Sequence, residues 1–255
     1  MTGSDTARTA DAPGADDAPG ADAPRADVID LLAGITPDHP LSRVRDLRPD
    51  ARANAQRSFA ALLEPADPGA FGYAERYAVA AFVAGLHGSA RAAAFYADLL
   101  GDADAGLAPV VDRAARDSAA AGPTGAYREP GLADESVPAH PWQPDAATRD
   151  ALGTRLAAAL AHAHLLVSRP RESSPAALRA LGAAGWTPDE IVSLSQLVAF
   201  LSFQLRVAWG LTVLAATPAD QPVGASASAS ASASVSASAS ASADAPAPAP
   251  EGATR

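Results

Sequence analysis

The stretch Gly72-Tyr-Ala-Glu-Arg-Tyr-Ala-Val-Ala-Ala-Phe-Val-Ala-Gly-Leu-His-Gly-Ser-Ala-Arg-Ala-Ala-Ala-Phe-Tyr96 decides how this chain folds. A mostly apolar helix runs into Leu86-His87-Gly88, where the glycine supports a turn. A second helix starts at Ser89, a residue type suited to capping it, and runs to Leu100. The two helices should pack antiparallel around Gly88. The whole chain contains no cysteine, so disulfides, thiolate ligands and thiol nucleophiles are excluded.

Working outward, the rest of the core also reads as helical, and the fold class expected is all-α. Asp27 caps a short amphipathic segment reaching Ile35, and Pro37-Asp-His-Pro40 turns the chain into a short piece ending near Leu47. Pro49 opens a helix to about Leu63, because proline is favoured in a first turn whose N–H groups lack partners anyway. A further alanine-rich helix covers about 107–120. Residues 122–144 are dense in Pro and Gly without helical or strand periodicity, a length that suits a lid or an interface element. Three aromatic residues, Tyr73, Tyr127 and Trp142, are placed to pin the neighbouring segments.

Asp145 to Val167 reads as one helix ending before Arg169-Pro170, and Ser174-Pro175 begins the next, with Gly185 as its stop. Thr187-Pro-Asp-Glu190 is a capping box opening a helix that continues to about Leu214. That helix is apolar over most of its circumference, which predicts burial in a core or in a subunit interface. Residues 1–26 and 216–255 hold too little apolar surface to offset the entropy of ordering and read as disordered, leaving one domain over 27–215.

The net charge of −10 and pI near 4.8 disfavour nucleic acid as a partner, since phosphate binding needs a basic face. The amino terminus lacks the basic start and apolar stretch of a secretory signal. No window is expected to reach the run of about 18 apolar residues that spans a membrane, so the expected location is cytoplasmic.

Two blocks carry a resemblance. The turn at Leu86-His87-Gly88 and the helices around it resemble the carboxymuconolactone decarboxylase and alkylhydroperoxidase D family, where a Leu-Asn-Gly turn precedes Cys-x-x-Cys-x-x-x-His. Ala183 to Leu211 is similar to the closing helices of peroxidase-related members, with Gly185-Trp186-Thr187 leading into a long helix bearing aromatic residues and Arg206. Segment 97–150 fits that pattern poorly and reads as an insertion. The resemblance implies an alkylhydroperoxidase D-like helical bundle that assembles as a homo-oligomer, a trimer or hexamer.

Carried over position by position, the resemblance removes the family's thiol chemistry. Its two cysteines fall on Ser89 and Ala92, its histidine on Tyr96, and its proton-relay glutamate on Tyr77. A serine hydroxyl cannot cycle through sulfenic acid and disulfide states.

The remaining candidates are acid/base and binding groups. His87 either caps its helix at the negative end of the dipole or serves as a general base, and Tyr77 and Tyr96 could join it in a thiol-free proton-transfer cluster. Ser195, Ser202 and Arg206 share one face of the last helix, where they either hydrogen-bond between helices or line a pocket in which Arg206 holds a substrate carboxylate. His162 and His164 lie two residues apart, so they point about 200° from each other on the helix and cannot chelate one metal together. One is expected in the core and the other towards solvent or a subunit. No metal or cofactor is implied by these spacings.

Three functions remain open: a thiol-independent oxidoreductase-type or accessory protein; an acid/base enzyme resembling the decarboxylase branch, relying on His87 and Arg206; and a non-catalytic binding or scaffold protein. A pocket joining His87, Tyr96 and the polar face of the last helix would favour an enzyme. A filled core there, with the histidines outside, would favour a scaffold.

Overall fold

The computed structural model describes residues 27–119, 124–137 and 141–217. The tails read above as disordered therefore lie outside the described residues, apart from 216 and 217. The described part is all-α: α1 (Val28–Ala33), α2 (Pro40–Asp46), α3 (Pro49–Leu63), α4 (Tyr73–Leu86), α5 (Ala90–Ala103), α6 (Ala108–Ser118), α7 (Ala146–Ser168), α8 (Pro175–Ala183) and α9 (Pro188–Ala216).

The caps explain many of the helix starts. Asp27 accepts from the Asp30 amide, His39 Nδ1 from Leu41, Asp145 from Thr148 and Ser174 from Ala177. The Thr187–Glu190 capping box is formed in both directions. Ser89 does stand at the N-cap of α5, but its side chain makes no capping bond. Its backbone instead closes the preceding turn, with the Ser89 amide donating to Ala84 O at 3.2 Å and Gly88 at φ +64°.

α4 is the centre of the molecule. Residues 78 to 84 are all buried, and the helix packs against α5 most extensively, then α6, α9 and α7. Its side chains are mostly alanine and valine, so neighbours close in on every side. The closest approach is at Gly85, where an added Cβ would sit 2.6 Å from the Ala115 Cβ of α6.

Within the chain, all-round burial belongs to α4. α9 buries one face, through Leu194, Leu197, Leu201, Gln204, Leu205 and Ala208, and leaves Val192, Phe203, Trp209 and Val213 exposed. Each fully buried Leu or Phe contributes roughly 1.5–3 kcal/mol, enough to hold α9 on the domain by that one face. The membrane expectation also needs correction. By length and composition alone, α9 is long and apolar enough to cross a membrane, with an 18-residue window of mean hydropathy 1.7 that is 33% buried against the domain.

α7 departs from the expected single helix. Gly153 adopts φ +74° and ψ 158°, breaking the helix two turns in. Just past the break, Arg155 ties four segments together. It reaches Glu75 of α4 at 2.9 Å, Glu190 of α9 at 2.8 Å and the carbonyl of Gly185 at 2.8 Å, and lies 4.0 Å over the Trp186 ring. At the other end, Asp27 and Asp30 of the α1 region take Arg45 of α2 and Arg52 of α3, with Arg45 2.6 Å and Arg52 3.0 Å from Asp27.

The segment between α6 and α7 is ordered where described. Gly125 and Val137 form an isolated antiparallel bridge around a 3-10 turn, Pro130–Glu135. The three aromatic residues do pin their surroundings. The Tyr73 hydroxyl donates to Pro65 O at 2.6 Å, Tyr127 lies under Arg171, and Trp142 inserts between Phe82 of α4 and His164 of α7.

Candidate functional site

Of the six side chains singled out in the sequence, the structure brings His87 and Ser202 together, with Arg206 nearby, and holds the other three apart from them. His87 ends α4 half-buried, with Nε2 3.3 Å from Ser202 Oγ of α9. Burial, and then the charge of exposed Arg206 one turn beyond Ser202, hold the imidazole below its ordinary pKa, so it is neutral at pH 7. Tyr96 is on the far side of that contact. It is fully buried and donates its hydroxyl to Gln204, also fully buried. Gln204 lies two residues past Ser202, on the opposite face of α9. Burial pushes the Tyr96 hydroxyl pKa up, so it stays protonated.

Tyr77 lies elsewhere again. Ten residues before His87 on one helix, it is about 15 Å away along the axis. It stacks on Tyr73 with ring centroids 6.3 Å apart and borders an open hollow of about 510 Å³ beside Glu64 and Asp102. The proposed Tyr77–Tyr96–His87 cluster is therefore not assembled. Nor do Ser195, Ser202 and Arg206 share a pocket: Ser195 faces His162 of α7, Ser202 faces His87, and Arg206 is on the outer surface of α9. Ala92 and Tyr96, onto which the resemblance carried a cysteine and a histidine, are sealed in the core.

A cavity opens where the sequence drew less attention. It occupies about 290 Å³ between the second half of α7, α8 and the Pro141-Trp142-Gln143 segment. Trp142, His162, His164, Leu165, Arg169 and Leu181 form much of its wall. A second hollow of about 280 Å³ continues along α7 and α8, sharing Gln143, Ala158 and Ala180 with the first.

Both histidines are 5% exposed, which corrects the expectation that one would face outward. They point apart as helix geometry requires, but α6 covers one side of α7 and α9 the other. His164 Nε2 is 3.3 Å from the Ser118 carbonyl of α6, which can only accept, so the proton sits on Nε2. Ser195 gives its one hydroxyl proton to Ile191 O at 2.8 Å, so His162 Nε2, 3.3 Å from Ser195 Oγ, is also the protonated nitrogen. Each ring thus keeps Nδ1 as a bare lone pair, and that of His162 is buried without a partner. Burial lowers both pKa values, and the nearby Arg169 charge lowers His164 further.

Arg169 is the most unusual member of the wall. Its side chain is 7% exposed and ion-paired through Nη2 to Glu172, while Nε and Nη1 are buried without any hydrogen-bond partner. Glu172 also accepts from the Ala126 amide at 3.3 Å, fastening the 124–137 segment onto the turn after α7. Among the described residues no group of three or more His, Asp or Glu side chains is gathered as a metal site. His39 serves as a helix cap, and His140 lies outside the described residues.

Sequence reasoning weighed His162 and His164 but missed Arg169, Trp142 and Glu172. The available signal was local: Arg169-Pro-Arg-Glu172 directly before the Ser174-Pro175 helix start places a charged turn at a helix N-terminus. No known protein family, curated protein or solved structure matches this chain.

Proposed function

We propose that this chain is a cysteine-free protein of the carboxymuconolactone decarboxylase and alkylhydroperoxidase D type that has given up thiol chemistry and binds a small molecule in an accessory role. The ligand's place is the cavity between α7 and α8. The observation that carries this reading is a cavity whose wall includes two buried neutral histidines and a buried arginine, while the core around Ala92 and Tyr96 is filled. Concave, mostly apolar sites with a few convergent polar groups are the usual form of ligand pockets. The His87–Ser202 contact lacks such an enclosure, so acid/base turnover at His87 and Arg206 has less support.

The test is native mass spectrometry of the full-length chain, with Ala177→Phe as the comparison, because Ala177 of α8 lines the cavity. A small-molecule mass retained by the wild type and lost in Ala177→Phe is expected. Bare protein in both, with no thermal stabilisation by any of a panel of small organic compounds, would remove the binding reading.

The outer face of α9 supports a second role, self-assembly into the trimer or hexamer that the resemblance implies. Val192, Ala199, Phe203, Trp209 and Val213 lie along one exposed line of α9, an apolar stripe interrupted by Gln196 and Arg206. A symmetric oligomer in solution that falls to monomer with Trp209→Glu is expected by light scattering. A monomeric wild type would end this reading.

A further inference from the structure

We infer that the cavity between α7 and α8 selects a small organic acid with an apolar body, its carboxylate taken by Arg169. This rests on the binding reading above and adds the chemical class of the ligand. A guanidinium has five N–H donors and cannot shed its charge in a protein. Arg169 is almost wholly buried, yet Nε and Nη1 have no acceptor, and Glu172 meets only Nη2. A buried donor left unpaired is costly, and more so when charged, so the site is completed by an acceptor that the chain does not supply. A carboxylate is the acceptor best matched to a guanidinium in an apolar enclosure.

Glu172 lines the same cavity, but its carboxylate is already engaged by Arg169 Nη2 and by the Ala126 amide, which leaves the Nε and Nη1 edge of the guanidinium for a second acceptor. The N-terminus of α8, whose first-turn amides carry partial positive charge, begins at Ser174-Pro175, and Ser174 and Ala177 both border the cavity. Neutral His162 and His164 add no competing charge. Trp142, Leu165, Leu181 and four alanines supply the apolar part of the wall, which fits a ring or short chain.

The experiment is isothermal titration of the full-length chain with 3-phenylpropanoate and with 3-phenylpropanamide, which share the apolar body and differ in charge. The acid is expected to bind at least tenfold more tightly than the amide. Arg169→Met should bring the acid down to the amide's affinity while leaving amide binding unchanged, which also shows that the variant is folded. Ala177→Phe, at a half-buried position, should weaken both probes together. Equal binding of acid and amide to the wild type would overturn the carboxylate inference and leave the cavity reading intact. Failure of both probes to bind would overturn both. Acid binding that survives Ala177→Phe unchanged would place the acid elsewhere and overturn the inference.

Discussion

Replacing Tyr96 by Phe removes one oxygen from the middle of the domain, and the cost can be worked from its surroundings. Tyr96 and Gln204 are both 0% exposed, and the hydroxyl donates to Gln204 Oε1. Gln204 Nε2 already lacks a partner, so in Tyr96→Phe the whole amide is stranded. A stranded buried polar group costs about 1–3 kcal/mol, and for a domain of this size 2 kcal/mol corresponds to roughly 4–8 °C in Tm. Tyr96→Phe/Gln204→Leu removes both partners and should recover most of the loss, giving a coupling of about 1–2 kcal/mol in a double-mutant cycle.

Urea and thermal unfolding of the four proteins measure the cycle. Burial holds the Tyr96 hydroxyl protonated, so the loss should be constant between pH 6 and 9. Additive single losses, or a Tyr96→Phe protein as stable as wild type, would refute the buried pair. A Tyr96→Phe protein of unchanged stability that no longer binds ligand would restore the catalytic role once open to Tyr96.

Other consequences follow from particular contacts. His87, His162 and His164 have folded pKa values held below 6.5, so the unfolded chain takes up protons first as pH falls. Stability is fully present above about pH 6.5 and is lost from there downward, with a limiting slope of about 1.4 kcal/mol per pH unit per histidine. A stability profile flat between pH 7 and 5 would contradict this, and His164→Gln should reduce the slope. Gly85→Ala adds a better helix former but drives its Cβ to 2.6 Å from Ala115, so a net loss of about 1–2 kcal/mol is expected in thermal melts, where propensity alone predicts a gain. Arg155→Met leaves Glu75 and Glu190 facing each other without their cation. Because Arg155 is 27% exposed, the expected loss in urea unfolding is about 2 kcal/mol, partly recovered by adding Glu75→Gln.

The local signals in the sequence were strong. Asp27, Asp145, Ser174 and the Thr187–Glu190 box announce their helices, and all four form as side-chain chemistry dictates, because a cap needs only the next three residues. The turn at Gly88 was legible for the same reason. Gly153 was not, because a helix tolerates glycine and nothing local says whether it will adopt positive φ. Periodicity shows that a face is apolar without naming what covers it, which is why the sealed helix proved to be α4 and α9 kept an exposed stripe.

The sequence by itself determined the all-α class, most helix starts and the absence of any cysteine thiol, since each depends on residues near one another or on composition alone. Only the tertiary structure decided which side chains meet. It separated Tyr77, Tyr96 and His87, whose spacing had allowed a cluster, and turned both His162 and His164 inward because α6 and α9 close on opposite sides of α7. It also buried Arg169 beside Trp142, with two donors unmet. Those contacts join segments tens of residues apart, and their energies depend on burial and partner geometry that exist only once the helices have packed.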